Sequence, residues 1–102
     1  MKFSTSKTEL QQALQKLSKA TPTRSTLPIL GCVLIESTEE KTTLRATDLE
    51  ITIQAEIPVS LEQAGATALP LKTLLDITNE LPETRITLTV DDKDRAAIIT
   101  DA

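Results

Sequence analysis

Apolar residues recur along this chain with two different periods. In "SKTELQQALQKLSKA" (6–20), Leu10, Ala13, Leu14 and Leu17 fall at i, i+3, i+4 and i+7, which predicts an amphipathic helix. Ser6, with Glu9 three residues on, forms a capping box at its start. Pro22 ends it, because proline cannot continue the helical hydrogen-bond ladder. "MKFST" before the helix reads as a short strand. After it, "LPILGCVLIES" is an almost continuous apolar run. "KTTLRATDL" and "EITIQAEIPV" alternate instead, the latter with Ile51, Ile53, Ala55 and Ile57 on one face. These three segments read as strands, the last two rich in Thr and Ile. "STEEK" and "TDLE" read as the intervening turns and "SLEQAG" as a polar connection.

The pattern then starts again. "ATALP" reads as a strand, "LKTLLDITNELP" as a helix closed by Pro82, and "TRITLTV" and "RAAIIT" as strands around the turn "DDKD". Laying residues 7–17 over 71–81 matches Leu10 to Leu74, Ala13 to Ile77 and Leu17 to Leu81. The expected fold is therefore α+β: two βαβββ-like units, about 1–60 and 65–102, with two helices on one face of antiparallel sheet and the last strand missing from the second unit. An unpaired sheet edge is a liability. The expectation is that the chain is a shortened one or that another chain completes the edge.

Composition narrows the chemistry. A length of 102 residues suits one domain, and with Phe3 the sole aromatic the core must be built of Leu, Ile and Val. No apolar run is long enough to span a membrane, and "MKFSTSKTELQQ" has no secretory h-region. A single cysteine, Cys32, cannot form an internal disulfide, and in an apolar run it reads as a core residue of a reduced, cytoplasmic chain. The absence of histidine removes the commonest general base and zinc ligand. Gly31 and Gly65 are too far apart for a phosphate loop. "DDKD" (91–94) opens like a calcium loop but lacks its Gly and its twelfth-position Glu, so it reads as a solvated turn. Asp48 and Glu50 in "TDLE" could pair as acid and base, but beside a strand corner Asp48 is better employed capping backbone amides. No catalytic, metal-binding or cofactor site is expected.

Charge placement is what remains. The face of the first helix opposite its apolar stripe carries Thr8, Gln12, Gln15, Lys16 and Lys19, with Glu9 only at its margin. In a chain of net charge −4 that is a local neutral-to-basic surface. It is either an ordinary solvated face or a surface that meets a polyanion loosely, through phosphates rather than bases.

Several segments together resemble a known family. "MKF" followed by a helix, then "R-x-TLPILG", "TDLE", "GAT" and "P-x-K-x-LLDI…LP", are similar in order and spacing to the N-terminal domain of the bacterial DNA polymerase III beta subunit, the sliding clamp. The resemblance implies a DNA-clamp fold and no catalysis. It implies that the intact protein is a homodimeric ring around duplex DNA that tethers the replicative polymerase without regard to sequence. The helices would line the hole, with Gln12, Gln15, Lys16 and Lys19 facing it. Arg24 occupies the family's DNA-contacting place in the loop before "TLPILG", where a guanidinium fork suits phosphate contact. Lys72 occupies a second DNA-contacting place, where arginine is familiar. Ile77 and Leu81 match positions of the ring interface, or pack in the core. Peptides of polymerase and clamp loader would bind later domains, absent here. The competing expectations are a small interaction module recruiting a partner strand through its open edge, and hydrolysis through Asp48 and nearby acids.

Overall fold

The computed structural model describes residues 1–20, 31–48, 50–91, 93 and 95–100. In chain order the elements are β1 (Lys2–Ser6), α1 (Lys7–Leu17), a 3-10 turn (Ser18–Ala20), β2 (Cys32–Ser37), β3 (Thr42–Thr47), β4 (Thr52–Ile57), β5 (Ser60–Gln63), β6 (Gly65–Pro70), α2 (Leu71–Glu80), β7 (Arg85–Val90) and β8 (Ala96–Thr100). They form two antiparallel four-stranded sheets, ordered β5-β1-β7-β8 and β4-β3-β2-β6. Pro22 and Arg24 lie outside the described residues.

Each stretch of helix–strand sequence lends its first strand to the other's sheet. β1 pairs with β7 through the register Ser4↔Thr87, and β6 pairs with β2 through Leu34↔Ala68. The two halves of the chain are thereby interleaved, and neither sheet is complete without a strand from the other half.

The segment Ser60–Gln63 differs from its expected role as a plain connection. It is β5, paired with β1 through Phe3↔Leu61 and Ser4↔Ser60, with a register shift between Lys2 and Phe3. Only Leu61 of its four residues packs toward the core, so alternation over so short a span carries no legible period. The backbone of β1 supplies the reason: without β5, its outer ladder would be open. Gly65, just beyond, passes close to the first residue of the chain, and a Cβ there would lie 3.0 Å from Met1 Cβ.

The helices form one layer over the sheets. α1 packs against β4, β3 and β1, α2 against β2 and β6, and the two helices against each other. Leu10, Ala13, Leu14 and Leu17 of α1 are all buried, as their spacing requires. They meet Phe3, Leu88 and Ile86 from one sheet and Val33, Ile35 and Leu44 from the other in a single hydrophobic core. Two hydroxyls inside it, Ser37 Oγ and Thr42 Oγ1, satisfy one another at 2.7 Å. In α2 the correspondence with α1 holds only in part. Leu74 is buried like Leu10, but Ile77, matched to buried Ala13, is 45% exposed, and Leu81 is only partly buried. Ile51, expected on the apolar face of its strand, lies just before β4 and is 58% exposed.

Candidate nucleic-acid interface

α1 begins where Ser6 Oγ accepts the backbone N–H of Glu9 at 3.1 Å, the capping half of the box read from the sequence. Its outward face carries Gln12, Gln15 and Lys16, with Lys19 following in the 3-10 turn, and all four are exposed. Thr8, which shares that face by periodicity, is instead half-buried and turned toward the second helix.

α2 begins at Pro70, which offers no side-chain capping bond, so nothing at that position neutralises its positive dipole end. Lys72 lies in this first turn, exposed and without an ion-pair partner among the described residues. The exposed face of α2 also carries Asp76 and Glu80, so it is not uniformly basic.

Side-chain contacts between the helices set their relative direction. Gln11 Nε2 donates to Asn79 Oδ1 at 2.7 Å. One turn nearer the start of α1, Lys7 Nζ donates to Glu83 Oε1 at 3.3 Å and Thr8 Oγ1 donates to Glu83 Oε2. The Lys7 backbone N–H donates to the Thr84 carbonyl at 2.9 Å. Moving toward the start of α1 therefore means moving past the end of α2, so the helices run antiparallel. This brings the end of α1, with Lys16 and Lys19, toward the start of α2, with Lys72. Glu9, Glu80 and Glu83 gather at the opposite end. The charge separation along the helix pair follows from the antiparallel register and is invisible in either helix read alone. Nothing in the sequence singles out Asn79 or Glu83, and Thr8 is read there only as part of the outward face of α1, because polar residues on a helix surface carry no signal of a distant partner.

Beside α2, a largely apolar groove opens between the helix and strands β6, β7 and β8, lined by Leu69, Thr73, Ile77, Leu88 and Ile98. It borders β8, which pairs only with β7 among the described residues. Ile77 faces this groove; Leu81 packs at the margin of the core. On the outer face of β8, Ile99 is likewise exposed.

Asp48 and Asp91 are committed to their own turns. Asp48 Oδ1 accepts the N–H groups of Ile51 at 2.7 Å and Glu50 at 2.9 Å. Asp91 Oδ1 accepts those of Lys93 and Arg95, both at 2.9 Å, and its Oδ2 takes Arg95 Nε at 2.8 Å. Both are turn-forming carboxylates. Among the described residues no group of three His, Cys, Asp or Glu side chains is placed to hold a metal ion, and no helix is long and apolar enough to cross a membrane.

These contacts make stability depend on acidity. The amides of Ile51 and Glu50 hold the Asp48 carboxyl below the usual carboxylate range. The Thr8 hydroxyl and then Lys7 do so for Glu83, and the Arg95 amide does so for Asp91. A carboxyl whose pKa is lower folded than unfolded contributes stability above its unfolded pKa, and loses it as pH falls through the folded one. With no histidine to titrate, the melting temperature is expected to be flat from pH 7 to about 5 and to fall below about pH 4. Asp48→Asn with Asp91→Asn should lower the plateau and flatten the acid limb in a calorimetric pH series. An acid limb unchanged by both substitutions would show that these carboxylates are not its origin.

Comparison with known proteins gives this geometry a family. A profile of the DNA polymerase III beta subunit N-terminal domain matches residues 1–102. The beta sliding clamp of Synechocystis sp. is 39% identical over 93 residues, covering 89% of this chain and 24% of that protein. That of Synechococcus elongatus is 35% identical over 101 residues, covering 97% and 27%. Among solved structures, a protein assigned as a DNA polymerase III beta subunit from Eubacterium rectale superposes with a TM-score of 0.95 at 34% identity, covering 99% of this chain and 27% of that one. The DNA polymerase sliding clamp of Caulobacter crescentus does so at 0.91 and 27%, covering 98% and 28%. The chain thus spans about a quarter of the length of these relatives. Matched along its whole length in sequence and in fold, this chain belongs to the DNA polymerase III beta subunit family, as its N-terminal domain.

Proposed function

We propose that this chain is the first domain of a DNA sliding clamp, a processivity factor that encircles duplex DNA, tethers the replicative polymerase and catalyses nothing itself. The observation that carries this reading is the match of all 102 residues to the family. The intact protein would be a cytoplasmic homodimer closed into a ring. Polymerase and clamp-loader subunits would bind its later domains. Within residues 1–102, two interleaved units (about 1–60 and 65–102) would form one face of the hole.

The helix pair supports the DNA-facing assignment. Gln12, Gln15, Lys16 and Lys19 offer amides and ammonium groups that meet phosphates without reading bases, and Lys72 adds a point charge at the same end of the pair. Arg24, outside the described residues, is assigned a phosphate contact from its place before "TLPILG". The apolar groove with Ile77, beside the side of β8 that pairs with no strand among the described residues, supports assigning the ring interface to this edge, with Leu81 at its margin.

Topological retention tests the proposal. The intact protein, loaded by its clamp loader, should stay on closed circular duplex and be lost once the circle is cut, whatever the DNA sequence. Protein that leaves circle and linear duplex equally fast would sink the ring. Ile77→Glu should weaken self-association on the order of a hundredfold or more by sedimentation, since a carboxylate would be buried unpaired. It should leave the fold intact, because Ile77 is half-exposed within the domain. Unchanged self-association would remove Ile77 from the interface.

A further inference from the structure

We infer that Glu83 is a positioning residue that holds α1 and α2 in the register at which Lys16, Lys19 and Lys72 face one duplex together, an inference that rests on the clamp reading above. Its carboxylate is divided between two donors of α1: Oε1 takes Lys7 Nζ at 3.3 Å and Oε2 takes Thr8 Oγ1. The two donors are consecutive residues in the first turn of α1, whereas Glu83 follows the end of α2. One side chain therefore joins the two helices at the end remote from the cations.

The setting of Lys7 explains why the join is specific. Its side chain is only 10% exposed, whereas that of Glu83 is 69% exposed. A buried ammonium needs its counter-charge, and Glu83 supplies the one ion pair Lys7 makes among the described residues. The backbone bond from Lys7 to Thr84 brings the segment into place, and Gln11 with Asn79 adds a second rung one turn along. Without Glu83, the backbone bond from Lys7 to Thr84 still anchors the start of α1, Gln11 with Asn79 is the one side-chain hydrogen bond left between the helices among the described residues, and α1 shifts about that anchor. A pivot at one end displaces the other, where Lys16 and Lys19 lie opposite Lys72.

The sign of the effect separates positioning from charge. Glu83→Gln removes an acid, and charge alone would strengthen attraction to a polyanion. Loss of register would weaken it instead. In the intact clamp, Glu83→Gln should weaken equilibrium binding to short linear duplex, where no topological link holds the ring, about two- to tenfold and lower the salt exponent of that binding by about one, the signature of a lost phosphate contact. Thr8→Val should act in the same direction with a smaller effect, and the double variant should add little to Glu83→Gln, because both act through one carboxylate. If Glu83→Gln fails to fold, Thr8→Val alone carries the test. Affinity for the linear duplex unchanged or raised, with an unchanged exponent, would overturn the inference.

A second readout keeps it apart from the clamp reading. Spin labels at Lys16→Cys and Lys72→Cys, in a Cys32→Ser background, report the helix register directly. The distance distribution should broaden or shift with Glu83→Gln. If the parent protein is not retained on circles, the clamp reading fails, and the label distances still decide whether Glu83 sets the register. An unchanged distribution overturns it.

Discussion

Phe3→Ala should lower the melting temperature by about 15–30 °C, the cost of deleting a buried aromatic being ~3–5 kcal/mol and each kcal/mol being worth about 4–8 °C in a domain of this size. Phe3 is fully buried and is the chain's only aromatic residue. Its strand lies between β5 and β7, so the side chain stands in mid-sheet rather than at a margin that can close over the gap. Neighbours such as Leu10 and Leu88 are themselves fully enclosed and have little freedom to fill the vacated volume. The strand also joins the two halves of the chain, so the cavity weakens both. Far-UV circular dichroism or calorimetry is the measurement, because a chain without Trp or Tyr gives no useful intrinsic fluorescence. Ile99→Ala is the control: Ile99 is 55% exposed within the domain, and its truncation should shift the melting temperature little. A shift of under about 5 °C for Phe3→Ala would mean that the site collapses readily and that the core is less tightly packed than the structure implies.

Neutralising Lys16, Lys19, Lys72 and Arg24 together with glutamine should weaken equilibrium binding of the intact clamp to short linear duplex, where no topological link holds the ring, by about two to three orders of magnitude at physiological salt, given a salt exponent near 0.9 per phosphate contact. On the clamp reading, each cation has one phosphate neighbour. Single variants should therefore lower the exponent by about one each. The loss should be uniform across DNA sequences, because an ammonium or guanidinium on a phosphate carries no base information. The contrast with the rest of the protein sharpens the expectation. In a domain of net charge −4, most of the surface repels DNA, and the cations at one end of the helix pair oppose that field. Glutamine keeps hydrogen-bonding capacity and side-chain length near that of lysine, so a large loss would report charge rather than reach. If the quadruple variant keeps its affinity for linear duplex and its exponent, these four residues do not face the duplex, and DNA is met by other parts of the ring.

Much of the local structure was legible in the sequence because it is governed by neighbours along the chain. The Ser6 cap, the buried stripe Leu10–Ala13–Leu14–Leu17 and the strands of alternating Ile and Leu each follow from rules that span a few residues. The same holds for Asp48 and Asp91 as turn formers, since a short acid bonds to amides two to four residues away. Family membership was legible as well, through "TLPILG" and "TDLE" at their separation, and the whole-chain match bears it out. β5 was not legible, because its place is dictated by the open ladder of β1, more than fifty positions earlier.

The fate of α2's apolar residues marks the limit of the repeat. By periodicity Ile77 corresponds to Ala13, yet one is half-exposed at a groove and the other is buried. Periodicity assigns a face to a residue; what covers that face depends on the sheet and helix packed against it. The sequence by itself determined the elements other than β5, the core stripe of α1, the absence of histidine chemistry and the residue types that can meet phosphate. The tertiary structure alone decided the exchange of strands between the two sheets, the antiparallel helix register that gathers Lys16, Lys19 and Lys72 at one end, and the capture of Lys7 and Thr8 by Glu83. The physical reason is range: propensity, capping and periodicity act over a few residues, whereas register between two helices is set by contacts between residues some seventy positions apart.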